Sequence, residues 1–339
     1  MFDPLVSFCV KSYNQRELLK EALRGAFAQT YRPLEIVISD DGSTDGSWEL
    51  IESAREDFFR KVERGDVPNN VTVVVNRNEK NLGNLGNWQK ICEIAKGELF
   101  IKADGDDISL PNRTDEVVKA WIADGKKALV VYHSAIKIDG RGREFGLCKK
   151  HVLDYGPVGA VSAYSRRLFD CFETIEISEK IAGDDSVYGN RSVILGVTPL
   201  WIDKPLVKYR VGSGVSSGIR GYRKFMVRGT MAGLVSRKQS VIDIAKCKVP
   251  LIESTRKALV ARIDNEINKL QVYIDLWEGE EWSKRWAAFR ILNSGEQSNF
   301  QRLIFGLLLL PHWLGDPILD LMKMSKYWLD LLKYKKSHD

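Results

Sequence analysis

The chain has 339 residues, 44% hydrophobic and 28% charged, with 27 Gly and 10 Pro, a profile that excludes disordered, collagen-like and single small-module proteins. Its five cysteines, Cys9, Cys92, Cys148, Cys171 and Cys247, include no C-x-x-C pair, which excludes a disulfide framework and a zinc ribbon and predicts reduced thiols. The net charge of +6 is uneven: residues 1–215 hold 30 Lys+Arg against 32 Asp+Glu and residues 216–339 hold 21 against 13, so the last third asks for an anionic partner, whether nucleic acid, acidic lipid or a phosphorylated substrate.

Met1 to Phe8 lack the basic start and apolar stretch of a secretory signal, and Asp3 and Pro4 would interrupt one, which predicts a protein that stays inside the cell. Leu5 to Val10 reads as a strand, followed by a polar break and a helical pattern at Leu18, Leu19, Ala22, Leu23 and Ala26. Leu34 to Ser39 is a second strand entering the turn cluster Asp40 to Gly46, with a helix around Trp48, Leu50 and Ile51. The unit repeats with a strand at Val71–Val75, a polar loop at Asn76–Gly83, a helix at Trp88–Ala95 and a strand at Leu99–Ala103 that closes on Asp104-Gly105-Asp106-Asp107. Such alternation predicts an α/β fold, a mainly parallel sheet flanked by helices, with the polar loops gathered beyond the carboxyl ends of its strands.

Shorter strands follow, at Leu129–His133, Val197–Ile202 and Leu206–Val211. From Ser216 the period turns helical: Leu251, Ile252, Leu259, Val260, Ile263, Ile267, Leu270 and Ile274 predict a long amphipathic helix between Pro250 and Trp277. Two domains are therefore expected, residues 1–215 and a helical region 216–339. Five Trp lie at or after Trp277, and the last stretch mixes Leu and Trp with Lys323, Lys326, Lys333, Lys335 and Lys336. That composition predicts helices lying in a membrane interface, with packing on the domain or on a second subunit as the alternative. The longest apolar run, Leu303 to Leu310, falls short of the roughly 20 residues of a membrane span.

Three clusters carry chemistry. Asp104, Asp106 and Asp107 at a strand end repel one another unless a cation sits among them, and hard oxygen ligands select Mg²⁺ or Mn²⁺. Asp40-Asp41-Gly42-Ser43 places a carboxylate where it can accept the N3–H of uracil or a ribose hydroxyl, although the same residues make a common turn. Asp184-Asp185, with Arg191 downstream, is a third acidic pair, whose plainer reading is a helix N-terminus.

The ordered set Val6 to Asn14, Gln29-Thr30-Tyr31, Glu35 to Asp45, Asn81-Leu82-Gly83 and Lys102 to Asp107 resembles the inverting glycosyltransferases of family 2, with the GT-A fold, over residues 4–215. The resemblance implies a Rossmann-like mixed sheet, a nucleotide-sugar donor, most often a UDP-sugar, and Mn²⁺ or Mg²⁺. Carried over by position, Val10, Ser12, Tyr13 and Asn14 with Asp40 and Asp41 would hold base and ribose, with Glu17 nearby. Lys102, Asp104, Gly105 and Asn87 would line the donor, Asp106 and Asp104 the metal, and Asp185 would be the general base that deprotonates the acceptor hydroxyl.

Two segments depart from the family pattern. Tyr209-Arg210-Val211-Gly212 stands where many relatives read Tyr-Arg-x-His, so no histidine ligand is expected there. Asn84-Leu85-Gly86-Asn87-Trp88 replaces an Ala-Arg-Asn stretch. Residues 212–218 read equally as a lid, with Arg210, Arg220 or Arg223 on phosphate, or as a linker. His133 reads as a packed residue, with an acceptor-pocket wall as the alternative, and His151, His312 and His338 have no metal-ligand spacing.

The expected function is transfer of a sugar to a glycan hydroxyl in bacterial surface polysaccharide assembly, on a lipid-linked acceptor such as an undecaprenyl-diphosphate oligosaccharide. The enzyme would sit on the cytoplasmic face of the inner membrane through its C-terminal helices, as a monomer or a homo-oligomer, without a nucleic-acid partner. A sugar-1-phosphate nucleotidyltransferase would need a Gly-rich basic N-terminal loop, which Lys11 to Asn14 is not. A non-catalytic scaffold subunit would not need Asp104, Asp106 and Asp185.

Overall fold

The computed structural model describes residues 3–67, 70–148, 159–175, 184–212, 222–279, 281–294, 299–310 and 314–321. The apolar runs form β1 (Val6–Ser12) and β2 (Leu34–Asp40), both buried along their whole length, as strands covered on both faces must be. β3 (Val71–Arg77) and β4 (Leu99–Asp104) complete a parallel set whose order is β3-β2-β1-β4. The helices α1 (Arg16–Phe27), α2 (Ser47–Glu63) and α3 (Gly83–Ile94) cross between these strands. Leu19, Ala22, Leu23 and Ala26 of α1 pack with Phe8, Val10, Ile36 and Ile101 in the main core.

Beyond β4 the sheet turns mixed. It is built from β5 (Ile108–Ser109), β6 (Val130–Ile138), β7 (Glu144–Cys148), β8 (Ser162–Ser165) and β9 (Leu200–Arg210), with α4 (Arg113–Ala123), α5 (Arg166–Asp170) and α6 (Asp184–Ile194) between them. β8 lies antiparallel between β4 and β6, and β9 runs parallel to β6 and antiparallel to β5. The two strands expected at 197–202 and 206–211 are one strand, β9. Its register against β6 shifts around Ser134, which lets Pro205, a residue without an N–H, sit in a continuous ladder. α3 begins at Gly83, earlier than the sequence pattern indicates, so Asn84 and Asn87 are helical.

The chain divides into two compact units, residues 1–211 with 245–251, and residues 212–244 with 252–339. Residues 245–251 return to the first unit, where Lys248 N–H donates to the Cys171 carbonyl at 3.0 Å and Lys246 meets Glu173 at 3.3 Å. The second unit contains α7 (Tyr222–Lys246, ending in the first unit), α8 (Glu253–Glu278), α9 (Trp282–Asn293), α10 (Asn299–Leu309) and a helix over 314–321. α8 is the long helix its 3.6-residue period predicts. Leu276 and Trp277 pack with Ala288, Leu292, Phe305, Leu307, Leu308, Leu309 and Leu319, so most of the apolar run at 303–310 is core. The basic stretch from Lys323 to Lys336, His151, His312, His338, Arg220 and most of the 212–218 segment lie outside the described residues. Among the described residues no helix is long and apolar enough to cross a membrane.

Candidate active site

Strand register aligns the carboxyl ends: Ser12 pairs with Asp40, Asp40 with Arg77, and Lys11 with Asp104. Because β1 separates β2 from β4, Asp40 and Asp104 stand two strand spacings apart, roughly 10 Å along one edge. The two loops at this edge are sewn together. Asn14, held at φ +48°, takes Ser43 Oγ on its N–H at 2.9 Å and offers Oδ1 to Thr44 N–H at 2.9 Å. α1 has no side-chain cap of its own; Asp45 Oδ2 accepts the Arg16 N–H at 2.9 Å and Ser47 Oγ accepts the Gln15 N–H at 3.3 Å. Burial pushes the Asp45 carboxyl up, but the Ser47 hydroxyl and the Arg16 and Ser47 N–H groups outweigh it and leave the group below its usual range.

Several predicted donor residues serve this scaffold. Asp40 is fully buried, with Oδ2 on the Ser43 N–H at 2.9 Å. Asp41 accepts from Leu82 N–H and Asn78 Nδ2, and burial raises its carboxyl despite those bonds. Asn87 exchanges hydrogen bonds with Ser39. Gly105 lies where a Cβ would fall 2.8 Å from Gln15 Oε1 and 3.1 Å from the Lys11 carbonyl, so glycine is what lets the acidic turn close on β1. Glu17 is exposed beside Arg16 and Lys20. Tyr13 and Asn14 are exposed at the edge, whereas Val10 and Ser12 are buried. Ser12 Oγ and Asp40 Oδ1 have no hydrogen-bond partner among the described residues.

The acidic turn itself is only partly open. Asp104 keeps 24% side-chain exposure and meets Lys11 Nζ at 3.0 Å, while the same ammonium donates to Asn84 Oδ1. Asp106 is nearly buried; burial, then the Asp104 charge, push its carboxyl up to about 6. Asp107 is turned inward, accepting the Arg210 N–H at 2.7 Å, and burial holds its carboxyl well above the usual range. The Arg210 guanidinium, a candidate phosphate ligand by sequence, is spent on the carbonyls of Asp106, Asp139 and Gly140 and on Glu21. Among the described residues no group of three or more His, Cys, Asp and Glu side chains is gathered as a metal centre. Asp104 and Asp106 nevertheless fit a hard divalent cation in charge and donor type, because two crowded carboxylates are relieved by one.

Two residues before Asp104 on β4, Lys102 is wholly buried and ion-pairs with Asp185 at the start of α6. Its Nζ lies 5.8 Å from the Trp88 ring centroid. Gly159 packs on the pair: a Cβ there would fall 2.5 Å from Lys102 Nζ and from Asp185 Oδ2. Tyr132 borders the same spot, and burial followed by the Asp185 charge raises its hydroxyl. α6 is anchored by Arg191, whose guanidinium lies over Phe172 and Tyr188 and donates to the Glu173 carbonyl. His133 is packed, accepting from Arg113 Nε at 2.9 Å. Lys11, Asn84 and Arg77 are edge residues that motif spacing did not single out, although Lys11 lies inside the Val10–Asn14 segment.

Residues 7–172 match the sequence model of glycosyl transferase family 2. Over 103 residues the chain is 28% identical to an Escherichia coli protein described as UDP-Glc:alpha-D-GlcNAc-diphosphoundecaprenol beta-1,3-glucosyltransferase WfaP, covering 30% of this chain and 36% of that one. Its fold is shared with Staphylococcus aureus TarS 1-349 in complex with UDP-GlcNAc (TM-score 0.54, 16% identity, 98% of this chain and 92% of that one). It is shared also with the mannosyltransferase PcManGT of Pyrobaculum calidifontis in complex with GDP-Man and Mn2+ (TM-score 0.55, 17% identity, 98% and 87%). The chain therefore carries a family 2 glycosyltransferase domain of the GT-A fold. The matched stretches span 38% and 36% of two curated relatives and 52% of a third.

Proposed function

We propose that the protein transfers a sugar from a nucleoside-diphosphate sugar, a UDP-sugar, to a hydroxyl of a lipid-linked glycan, with inversion at the anomeric carbon. The observation that carries this reading is the edge where Lys11, Asp104 and Asp106 meet within a family 2 domain. Tyr13 and Asn14, exposed at the end of β1, would receive the base and ribose, with Asp40 and Asp41 shaping the turn behind them. Asp104 and Asp106 would hold a divalent cation, which when bound neutralises the departing diphosphate. Asp185 would take the proton of the acceptor hydroxyl; its carboxylate keeps 20% exposure while Lys102 fixes it from beneath. WfaP, named for a diphosphoundecaprenol acceptor, supports a lipid-linked acceptor, which would set the enzyme to work at the cytoplasmic face of a bacterial inner membrane.

A thermal-shift and calorimetric screen of UDP, GDP and their sugars, with and without Mn²⁺, tests the reading. Metal-dependent stabilisation by one nucleotide sugar is expected; no response to any of them would overturn it.

A further inference from the structure

Lys11 and Asp104 are partners in the register of the adjacent parallel strands β1 and β4, so their side chains leave the same face of the sheet at its carboxyl edge. α3 covers that face: Asn84 accepts a hydrogen bond from the Lys11 ammonium, and Asn87 bonds Ser39 of β2. The ammonium stands 3.0 Å from Asp104 Oδ1, yet this buried oxygen accepts no hydrogen bond among the described residues. Charge without a directional bond holds the pair, and the oxygen keeps its lone pairs for another ligand. Arg113 and Arg210 also act on the carboxylates of the acidic turn. Both are fixed by backbone carbonyls, Arg113 by those of Lys102 and Ala160 and Arg210 by those of Asp106, Asp139 and Gly140. Lys11 instead meets only side chains in the contacts just described, and its four-carbon stem lets the ammonium change partner while the backbone stays in place.

We propose that Lys11 is a resident counter-ion of the donor site, paired with Asp104 before the donor binds and passed to the diphosphate of the nucleotide sugar when it arrives. Beside a divalent ion on Asp104 the ammonium would be repelled, whereas a diphosphate offers oxygens to both cations. Lys11 therefore opposes metal binding in the absence of nucleotide and favours the nucleotide itself. The inference rests on the proposed function and adds a donor-binding residue to the same site.

The test is calorimetry on the full chain, parent and Lys11→Met, with Mn²⁺ alone and with UDP and GDP in EDTA or in Mn²⁺. The parent should bind one of the nucleotides in EDTA, and more weakly as salt is raised. Lys11→Met should lose about tenfold in that metal-free affinity and gain roughly fivefold or more for Mn²⁺ alone, two effects of opposite sign. Any other pairing of signs overturns the proposal, above all the joint loss that a merely structural ion pair would give. Binding of nucleotide by the parent only when Mn²⁺ is present also overturns it, whether or not Lys11→Met folds, and leaves the proposed function standing. No nucleotide binding by the parent in either condition overturns both.

Discussion

Lys102 and Asp185, 83 residues apart, form an ion pair in which the lysine has no solvent exposure and the aspartate retains 20%. Breaking one side of a buried ion pair is costly, so Asp185→Asn or Lys102→Met alone should destabilise the fold by up to about 3 to 5 kcal/mol, whereas replacing both should recover much of that. Thermal denaturation of the two single variants and the double variant measures the coupling. Additive losses would mean that the two side chains do not act as a pair.

Asp185→Asn should also abolish sugar transfer while, at temperatures well below its lowered Tm where the variant is folded, leaving donor binding close to the parent value, since a base for the acceptor does not hold the nucleotide. Calorimetry with UDP and Mn²⁺, beside a transfer assay, separates the two. A parallel loss of UDP affinity contradicts the assignment.

Asp106→Ala should weaken Mn²⁺-dependent nucleotide binding by at least about tenfold and change metal-free binding little. An unchanged response to Mn²⁺ removes Asp106 from the metal site.

Gly159→Ala would force the ion pair apart, because its methyl has nowhere to go between Lys102 Nζ and Asp185 Oδ2. It should lower Tm and transfer together. Gly146→Ala is the control, since its methyl would meet only Lys137 Cδ at 3.6 Å. Equal behaviour of the two variants would show that the contact does not matter.

His133 accepts a hydrogen bond from Arg113 Nε, and its Nδ1 lies 2.8 Å from the Ser134 carbonyl, so the ring is neutral with its proton on Nδ1. Burial, then Arg113, hold it well below the ordinary 6.5. The unfolded chain takes up a proton below that pH and the folded chain does not. Stability is therefore intact above about pH 6.5 and falls below it, by up to about 1.4 kcal/mol per pH unit. His133→Gln keeps an acceptor for Arg113 without titrating, so Tm measured through mildly acidic pH should fall less steeply. An unchanged slope would assign the acid sensitivity elsewhere.

The parallel half of the sheet is legible in the sequence because Val6–Val10, Leu34–Ser39 and Leu99–Ala103 are long apolar runs followed by helices of clear period. The same runs locate Asp40 and Asp104 at one edge. β5, β7 and β8 span two, five and four residues, too short to carry a period of their own. The pairing of Lys102 with Asp185 is a long-range contact that no local pattern encodes, and neither is the inward turn of Asp107. Arg210 reads as a phosphate ligand because its position near the end of β9 is visible, but the carbonyls of Asp106, Asp139 and Gly140 that consume it are not.

The return of residues 245–251 to the first unit bears on how the catalytic half can be produced by itself. A gene truncated after Val211 would omit the strap that covers Cys171 and Glu173, uncovering the same flank against which Arg191 anchors α6. Expressing the N-terminal half alone therefore calls for a short graft spanning Ala245 to Leu251, or for the intact polypeptide.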